Sequence, residues 1–244
     1  MEVYKKPVVG VLSTGSELLD VDEDLVRGKI RNSNTPMILA QLKRAGIEGR
    51  RYHMQSDDLD TLHDNMKQML EEVDMVITTG GVSVGDSDLL PKIYDRLGAE
   101  VLFNKVAMRP GSVTTVSRVG DKFLFGLSGN PSACYSGFEL FVRPAVQAMM
   151  ASENVHAPFI DAILDEDFTK PNPFTRFIRA EVQYVKGEVY AKPSGFNKSN
   201  AVTSIAKSNC VIVMPGGTRG FEKGDTVKVM MTDVTSSADR FGVE

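Results

Sequence analysis

Three short apolar runs in this chain each break into a glycine-bearing polar turn. Pro7-Val-Val-Gly-Val-Leu-Ser13 runs into Thr14-Gly15, Asp74-Met-Val-Ile-Thr-Thr79 into Gly80-Gly81, and Lys122-Phe-Leu-Phe-Gly-Leu127 into Ser128-Gly129-Asn130. An almost unbroken apolar run of this length suits a strand covered on both faces, the usual state of a parallel strand in an α/β layer. Helical patterns lie between them. Ile38, Leu42 and Ala45 recur at spacings of four and three and stop at Gly46. Leu62, Met66 and Met69 share one helical face, and a third helix follows Asp88 and closes at Leu97-Gly98. Residues 47–54 read as a further strand; 113–119 and 122–127, joined by Gly120-Asp121, read as a hairpin. A long helix opens at Asn130-Pro131, with proline at its first position, and its apolar stripe is Cys134, Phe138, Phe141, Ala145 and Met149. This order predicts an α/β fold for residues 1–152: a mostly parallel sheet in three layers.

The pattern changes after a polar linker at 152–158. From Ala157 onward no useful helical period recurs, and β-like runs at 160–164, 176–185, 188–191, 210–214 and 226–231 take over. Lys186-Gly187, Pro215-Gly216-Gly217 and Lys223-Gly224-Asp225 supply the turns. Residues 153–244 therefore read as a small all-β domain, a barrel or a sandwich.

Bulk properties narrow the function. The net charge of −4 argues against a nucleic-acid binder, which needs clustered Lys and Arg to meet phosphates. No apolar run approaches the ~20 residues that cross a bilayer, and no apolar signal region precedes the first strand. Cys134 and Cys210 lie far apart without a paired spacing and read as reduced, semi-buried thiols of a cytoplasmic protein. His53, His63 and His156 form no metal-ligand spacing.

In open α/β sheets ligands sit beyond the carboxyl ends of the strands, and glycine there lets backbone N–H groups approach an anion. A single such turn is adequately explained as a tight connection; three in one sheet point to a phosphate-bearing ligand lying across the strand ends. The ligand is not a nucleoside triphosphate held by a P-loop. Gly80–Gly85 has the P-loop skeleton, but Asp86 stands where a P-loop carries its phosphate-neutralising lysine. Three acids, Glu17, Asp57 and Asp88, each follow a predicted strand, and acids at one rim can hold a hydrated Mg2+. The alternative for Asp57, with Asp58 beside it, is helix capping. Lys105 and Arg109, four apart before Pro110-Gly111, are suited to an oxyanion.

In this order, these turns carry the words Leu12-Ser-Thr-Gly-Ser-Glu-Leu18, Asn32-Ser-Asn34, Ile77-Thr-Thr-Gly-Gly-Val-Ser-Val-Gly-Asp86, Lys105-Val-Ala-Met-Arg-Pro-Gly111 and Gly126-Leu-Ser-Gly-Asn-Pro131. The chain resembles the MoeA-type molybdopterin molybdotransferases, a family that includes the E domain of gephyrin, and the resemblance extends into the β domain. It implies that adenylylated molybdopterin is the substrate and that molybdate enters its dithiolene with Mg2+-dependent loss of AMP. Thr14, Gly15, Glu17, Gly80, Gly81, Ser83, Ser128, Gly129, Asn130 and Pro131 would form the ligand cradle. By the same resemblance, Asp57 and Asp88 fall on acids that hold pterin or Mg2+, Lys105 and Arg109 on the family's cationic pair, and Arg179 and Ser199 near the molybdate site. A molybdopterin adenylyltransferase is the implied supplier of substrate, and full-length relatives are expected to be homodimers; neither nucleic acid nor membrane is an expected partner.

Two departures qualify the resemblance. Ser112-Val113 stands where the family often has Lys-Pro, and the first strand begins at Pro7, so the two domains that normally precede this region are expected to be missing. The chain is accordingly expected to bind ligand but to insert molybdenum poorly alone. The alternatives are a pterin-binding module without turnover and a MogA-type adenylyltransferase; the β domain argues against the second.

Overall fold

The computed structural model describes residues 3–15, 17–53, 58–80, 89–169, 171–195 and 202–233. In chain order the first part comprises β1 (Val8–Ser13), β2 (Leu18–Leu19), β3 (Ile30–Arg31), α1 (Asn34–Arg44), β4 (Glu48–His53), α2 (Leu59–Glu72), β5 (Met75–Thr79) and α3 (Leu89–Arg96). There follow β6 (Glu100–Phe103), β7 (Met108–Arg109), β8 (Thr115–Val119), β9 (Lys122–Leu127) and a helix in three pieces: α4 (Pro131–Gly137), a π-helical turn (Phe138–Val142) and α5 (Arg143–Met149). The second part holds β10 (Phe159–Leu164), β11 (Thr175–Val185), β12 (Glu188–Pro193), α6 (Val202–Lys207), β13 (Cys210–Met214) and β14 (Thr226–Met231).

The first sheet has the order β4-β1-β5-β9-β8-β6; the first four strands are parallel, and β8 runs antiparallel to both of its neighbours, β9 and β6. Each of its faces carries its own core. On one face Ile38 and Leu42 of α1 meet Cys134, Phe138, Val142 and Val146 of the long helix. On the other, Leu62, Met66 and Met69 of α2 meet Leu90, Ile93 and Tyr94 of α3. The glycine inside the first apolar run sits under α2: a Cβ at Gly10 would stand 2.3 Å from Met69 Cε and 3.3 Å from Val73 Cγ2, so a side chain there would make Met69 repack. α2 begins at Asp58, whose carboxylate accepts from Thr61 N at 2.8 Å and Thr61 Oγ1 at 2.6 Å; those bonds to Thr61 hold its pKa below the usual carboxylate value.

The long helix departs from the expected stripe. Its fully buried positions are Cys134, Phe138, Val142 and Val146, while Phe141, Ala145 and Met149 are only partly buried. The π-helical turn is the cause, because its wider turn advances the buried face to a spacing of four. Glu139 in that turn is buried and takes hydrogen bonds from Gln41 Nε2 at 2.8 Å, from Arg143 at 3.4 Å and from Arg44. A buried carboxylate so held ties α1 to the long helix.

The second sheet closes on itself. Its order is β12-β10-β14-β13-β11, and β12 also pairs with β11, which makes a five-stranded barrel filled by Leu164, Ile178, Ala180, Ile212 and Val229. Two features differ from the expected all-β module. It contains a short helix, α6, and the first part lends it β7, which runs parallel to the start of β11. Met108 of β7 and Tyr135 of α4 pack with Phe177, Ile205, Val211 and Met230, so a shared apolar core joins the two parts. Among the described residues no helix is long and apolar enough to cross a membrane.

Candidate functional site

β1, β5 and β9 are neighbours, and their registers place Ser13 opposite Thr79 and Thr79 opposite Leu127, so the three carboxyl ends finish level. The ladder continues one residue further: Thr14 N donates to Thr79 O at 3.2 Å and Gly80 N to Leu127 O at 3.3 Å. Gly80 has φ +82, and a Cβ there would lie 2.8 Å from Thr14 O. Only glycine fits, both for the left-handed backbone and for the neighbouring carbonyl. Gly129 lies beside it, its Cβ position falling 3.4 Å from Gly80 Cα. Among the described residues, the first positions of these turns thus approach backbone to backbone, Gly80 against Thr14 and Gly129 against Gly80.

A polar clasp holds this edge. Thr79 Oγ1 donates to Ser128 O at 3.3 Å and accepts from Asn34 Nδ2 at 2.7 Å. The same Nδ2 donates to Gly129 O at 2.9 Å. Because a carbonyl can only accept, the orientation of the Asn34 amide is fixed. Its Oδ1 is then left buried without a donor, as is the buried hydroxyl of Thr14. Asn32 braces the other side, donating to Ser13 Oγ at 2.9 Å and accepting from Thr35 N at 3.1 Å. The sequence reading quoted Asn32 and Asn34 but gave them no role; the signal was a pair of asparagines at a strand-to-helix junction, where an amide can bridge turns. Asn130 opens α4 by accepting from Ser132 N at 3.0 Å and Ala133 N at 3.3 Å, with Pro131 at the first helical position; Asn130 N in turn donates to Ser128 Oγ at 3.2 Å.

The structure thus brings Thr14, Gly15, Gly80, Ser128, Gly129, Asn130 and Pro131 to one sheet edge. Glu17 is exposed beside them; its carboxylate folds back over Gly15, where a Cβ would lie 2.5 Å from Glu17 Oε2. Lys105 and Arg109 are exposed on the segment that carries β7. Gly111 seats that segment near the first turn of α4, its Cβ position 3.4 Å from Ala133 O. Arg179 is buried on β11, its Nε donates to Ser204 Oγ of α6 at 3.0 Å, and burial lowers its pKa against the opposing influence of Tyr135. Asp57, Gly81, Ser83, Asp86, Asp88 and Ser199 lie outside the described residues. Asp58 fills the capping role that was weighed for its neighbour.

Among the described residues no three His, Cys, Asp or Glu side chains gather as a metal-holding group; Asp57 and Asp88 are not among those residues. Cys134 and Cys210 are free and buried, and burial pushes both thiols up to about 12. Neither is a nucleophile at neutral pH. The described chemistry is positional: backbone dipoles, amides and hydroxyls at the sheet edge, cations on the segment from Lys105 to Arg109 and on β11.

Comparison with known proteins agrees with this division. Residues 10–148 match the model of a probable molybdopterin binding domain, and residues 161–231 match that of the MoeA C-terminal region (domain IV). A molybdopterin molybdenumtransferase of Staphylococcus aureus (strain COL) is 58% identical over 233 residues, covering 96% of this chain and 56% of that relative. One from Bacillus subtilis (strain 168) is 56% identical over 229 residues, covering 94% of this chain and 53% of that relative. This chain therefore spans about half the length of the curated relatives it matches. Among solved structures, the molybdopterin biosynthesis MoeA protein from Pyrococcus horikosii superimposes with a TM-score of 0.75 at 25% identity, covering 93% of this chain and 55% of that one. The chain belongs to the molybdopterin-binding domain family and continues into a MoeA-type C-terminal β domain.

Proposed function

We propose that this chain binds adenylylated molybdopterin along the carboxyl edge of β1, β5 and β9 and serves the insertion of molybdate into the dithiolene with release of AMP. The observation that carries this reading is the edge itself: three level glycine turns, clasped by Asn34, with the Thr14 hydroxyl and Asn34 Oδ1 buried and unsatisfied. Orphaned buried polar atoms are uncommon in folded proteins and call for an explanation; for these two, side by side at the strand ends, the proposed one is a bound ligand. Relatives more than half identical are named molybdopterin molybdenumtransferase, which supports the same activity here.

Within this proposal each group has a task. Backbone N–H groups of the turns meet the phosphate, where the N-terminal dipole of the long helix adds to the attraction. Lys105, Arg109, Arg179 and Ser199 hold the oxyanion dianion, the three cations through their charge and the Ser199 hydroxyl by donating a hydrogen bond. Asp57 and Asp88 are the proposed ligands of Mg2+, which would neutralise the departing phosphate. A molybdopterin adenylyltransferase would supply the substrate, a second copy of the full-length protein would complete the assembly, and the cytoplasm is the proposed compartment.

The test is a release assay. The chain is loaded with adenylylated molybdopterin, molybdate is added with Mg2+, and free AMP is followed. The proposal expects AMP release that depends on molybdate and falls on the order of a hundredfold in Arg179→Gln. ATP-dependent adenylation of molybdopterin, or AMP release indifferent to molybdate, would overturn it.

A further inference from the structure

We infer that a pocket at the amino ends of the parallel strands, between α1 and the long helix, binds a small dicarboxylate that carries a hydroxyl. The pocket has a volume of about 280 Å³, at the lower end of the range for small-molecule sites. Lys6, just before β1, and Gly46, just before β4, mark its position. The turns proposed to hold the phosphate lie beyond the other ends of these strands, so the inference does not rest on the pterin reading. α1 lines the pocket through Gln41 and Arg44, and the long helix lines it through Glu139 and Arg143. Glu139 belongs to the π-helical turn, Phe138–Val142. Single π turns inside α-helices are rare and occur frequently at functional sites.

The charge of the lining is unbalanced. Lys6, Arg44 and Arg143 stand against one carboxylate, that of Glu139, which leaves two positive charges unmatched. Glu139 is buried and already accepts from Gln41 Nε2, Arg44 and Arg143. The side chain of Arg143 is 5% exposed and that of Arg44 is 32%, so an incoming anion meets charge at Arg44. Lys6 adds to it from the rim: it is exposed, and its Nζ donates to Gly46 O at 3.1 Å. A second, independent signal calls for a hydrogen-bond donor. Gln41 Nε2 donates to Glu139 Oε1 at 2.8 Å and to Tyr135 O at 3.4 Å. A carboxylate and a carbonyl can only accept, so the orientation of the Gln41 amide is fixed. Its Oε1 is then buried without a donor, an uncommon state for a buried amide. Two unmatched positive charges and one unfilled acceptor describe a dianion that also carries an O–H. A hydroxydicarboxylate has that set, whereas sulfate has no proton to give and a plain dicarboxylate leaves the amide oxygen unfilled.

The experiment compares two probes that differ only by the hydroxyl. The 15N-labelled chain is titrated with malate and separately with succinate, at ionic strength held constant with chloride. The Gln41 side-chain amide and the Arg44 Nε–Hε resonances are followed. Both are expected to shift saturably with malate, and succinate should bind roughly tenfold more weakly. Arg44→Gln should weaken malate binding by roughly tenfold. Lys6→Gln changes only an exposed side chain and should weaken it about threefold, which keeps the test decisive if the Arg44 variant misfolds. Shifts that chloride reproduces, equal affinity for malate and succinate, or unchanged affinity in the folded variants would overturn the site.

Discussion

The edge of β1, β5 and β9 and the strand β11 are two different kinds of polar surface. The edge is built from glycine backbone, amides and hydroxyls, and it works because these are packed so closely that Gly80 has room for no side chain. β11 carries formal charge instead, with Arg176 on one face and Arg179 on the other. Backbone dipoles are fixed by the fold and select by shape, whereas guanidinium forks select by charge and can be removed singly. β7 links the two surfaces, because one short segment leaves the first sheet, pairs with β11 and returns to seat Gly111 near α4.

The difference should show first in alkaline solution. Burial pushes Tyr94 and Cys134 of the α/β part, and Cys210 of the barrel, up to about 12. Each stays neutral in the folded chain while its unfolded counterpart ionises near 10 for tyrosine or 9 for cysteine. The unfolded state therefore loses protons first. The stability these groups contribute is whole below about pH 9 and is lost as pH climbs towards about 12. Denaturant midpoints at about pH 8 and about pH 11 should differ by on the order of 5 kcal/mol, and Tyr94→Phe should recover part of the loss. With two of the three groups, the α/β part should weaken more than the barrel in site-resolved hydrogen exchange; the reverse order would break the comparison.

Glycine substitutions come next in size. Gly80→Ala should cost about 3 kcal/mol, since it meets both a left-handed backbone and a neighbouring carbonyl. Gly224→Ala in the barrel has φ +97 but nothing within 4 Å of the added Cβ, so about 1 kcal/mol is expected. Thermal or chemical denaturation of the two variants checks the ratio, and equal losses would mean that the edge is less tightly packed than described. Asn34→Ala should cost about 2 kcal/mol by leaving Gly129 O and Thr79 Oγ1 short of a donor. The smallest effect on stability belongs to Thr14→Val, which removes an already unsatisfied hydroxyl and should leave the midpoint within about 0.5 kcal/mol. Its expected mark is on ligand affinity, read by calorimetry.

Most of the fold was legible because its signals are local. The runs ending at Ser13, Thr79 and Leu127 are buried strands, and the barrel strands fall within a residue or two of the runs read from sequence. The missed pieces depend on partners outside their own segment. β7 is two residues whose only reason to be extended is β11, and β6 is an edge strand defined by β8. The π-helical turn was hidden for a related reason: its buried Glu139 is held by Arg44 and Gln41 of α1, nearly a hundred residues earlier. At the candidate site, glycines and Asn130 could be read because turns and caps have their own chemistry. Asn34 could not, since its partners are the end of β5 and the turn after β9, and Arg176 could not, since nothing before folding places it in register with Arg109.

The central claim is that the ligand phosphate lies against the three turns of the α/β part rather than on the barrel. A crystal structure of the chain with adenylylated molybdopterin measures this most directly. The account predicts phosphate oxygens within about 3.2 Å of backbone N–H groups in the turns after β1, β5 and β9, with Thr14 Oγ1 and Asn34 Oδ1 newly partnered. A ligand seated elsewhere, with those two oxygens still unpartnered, would contradict it.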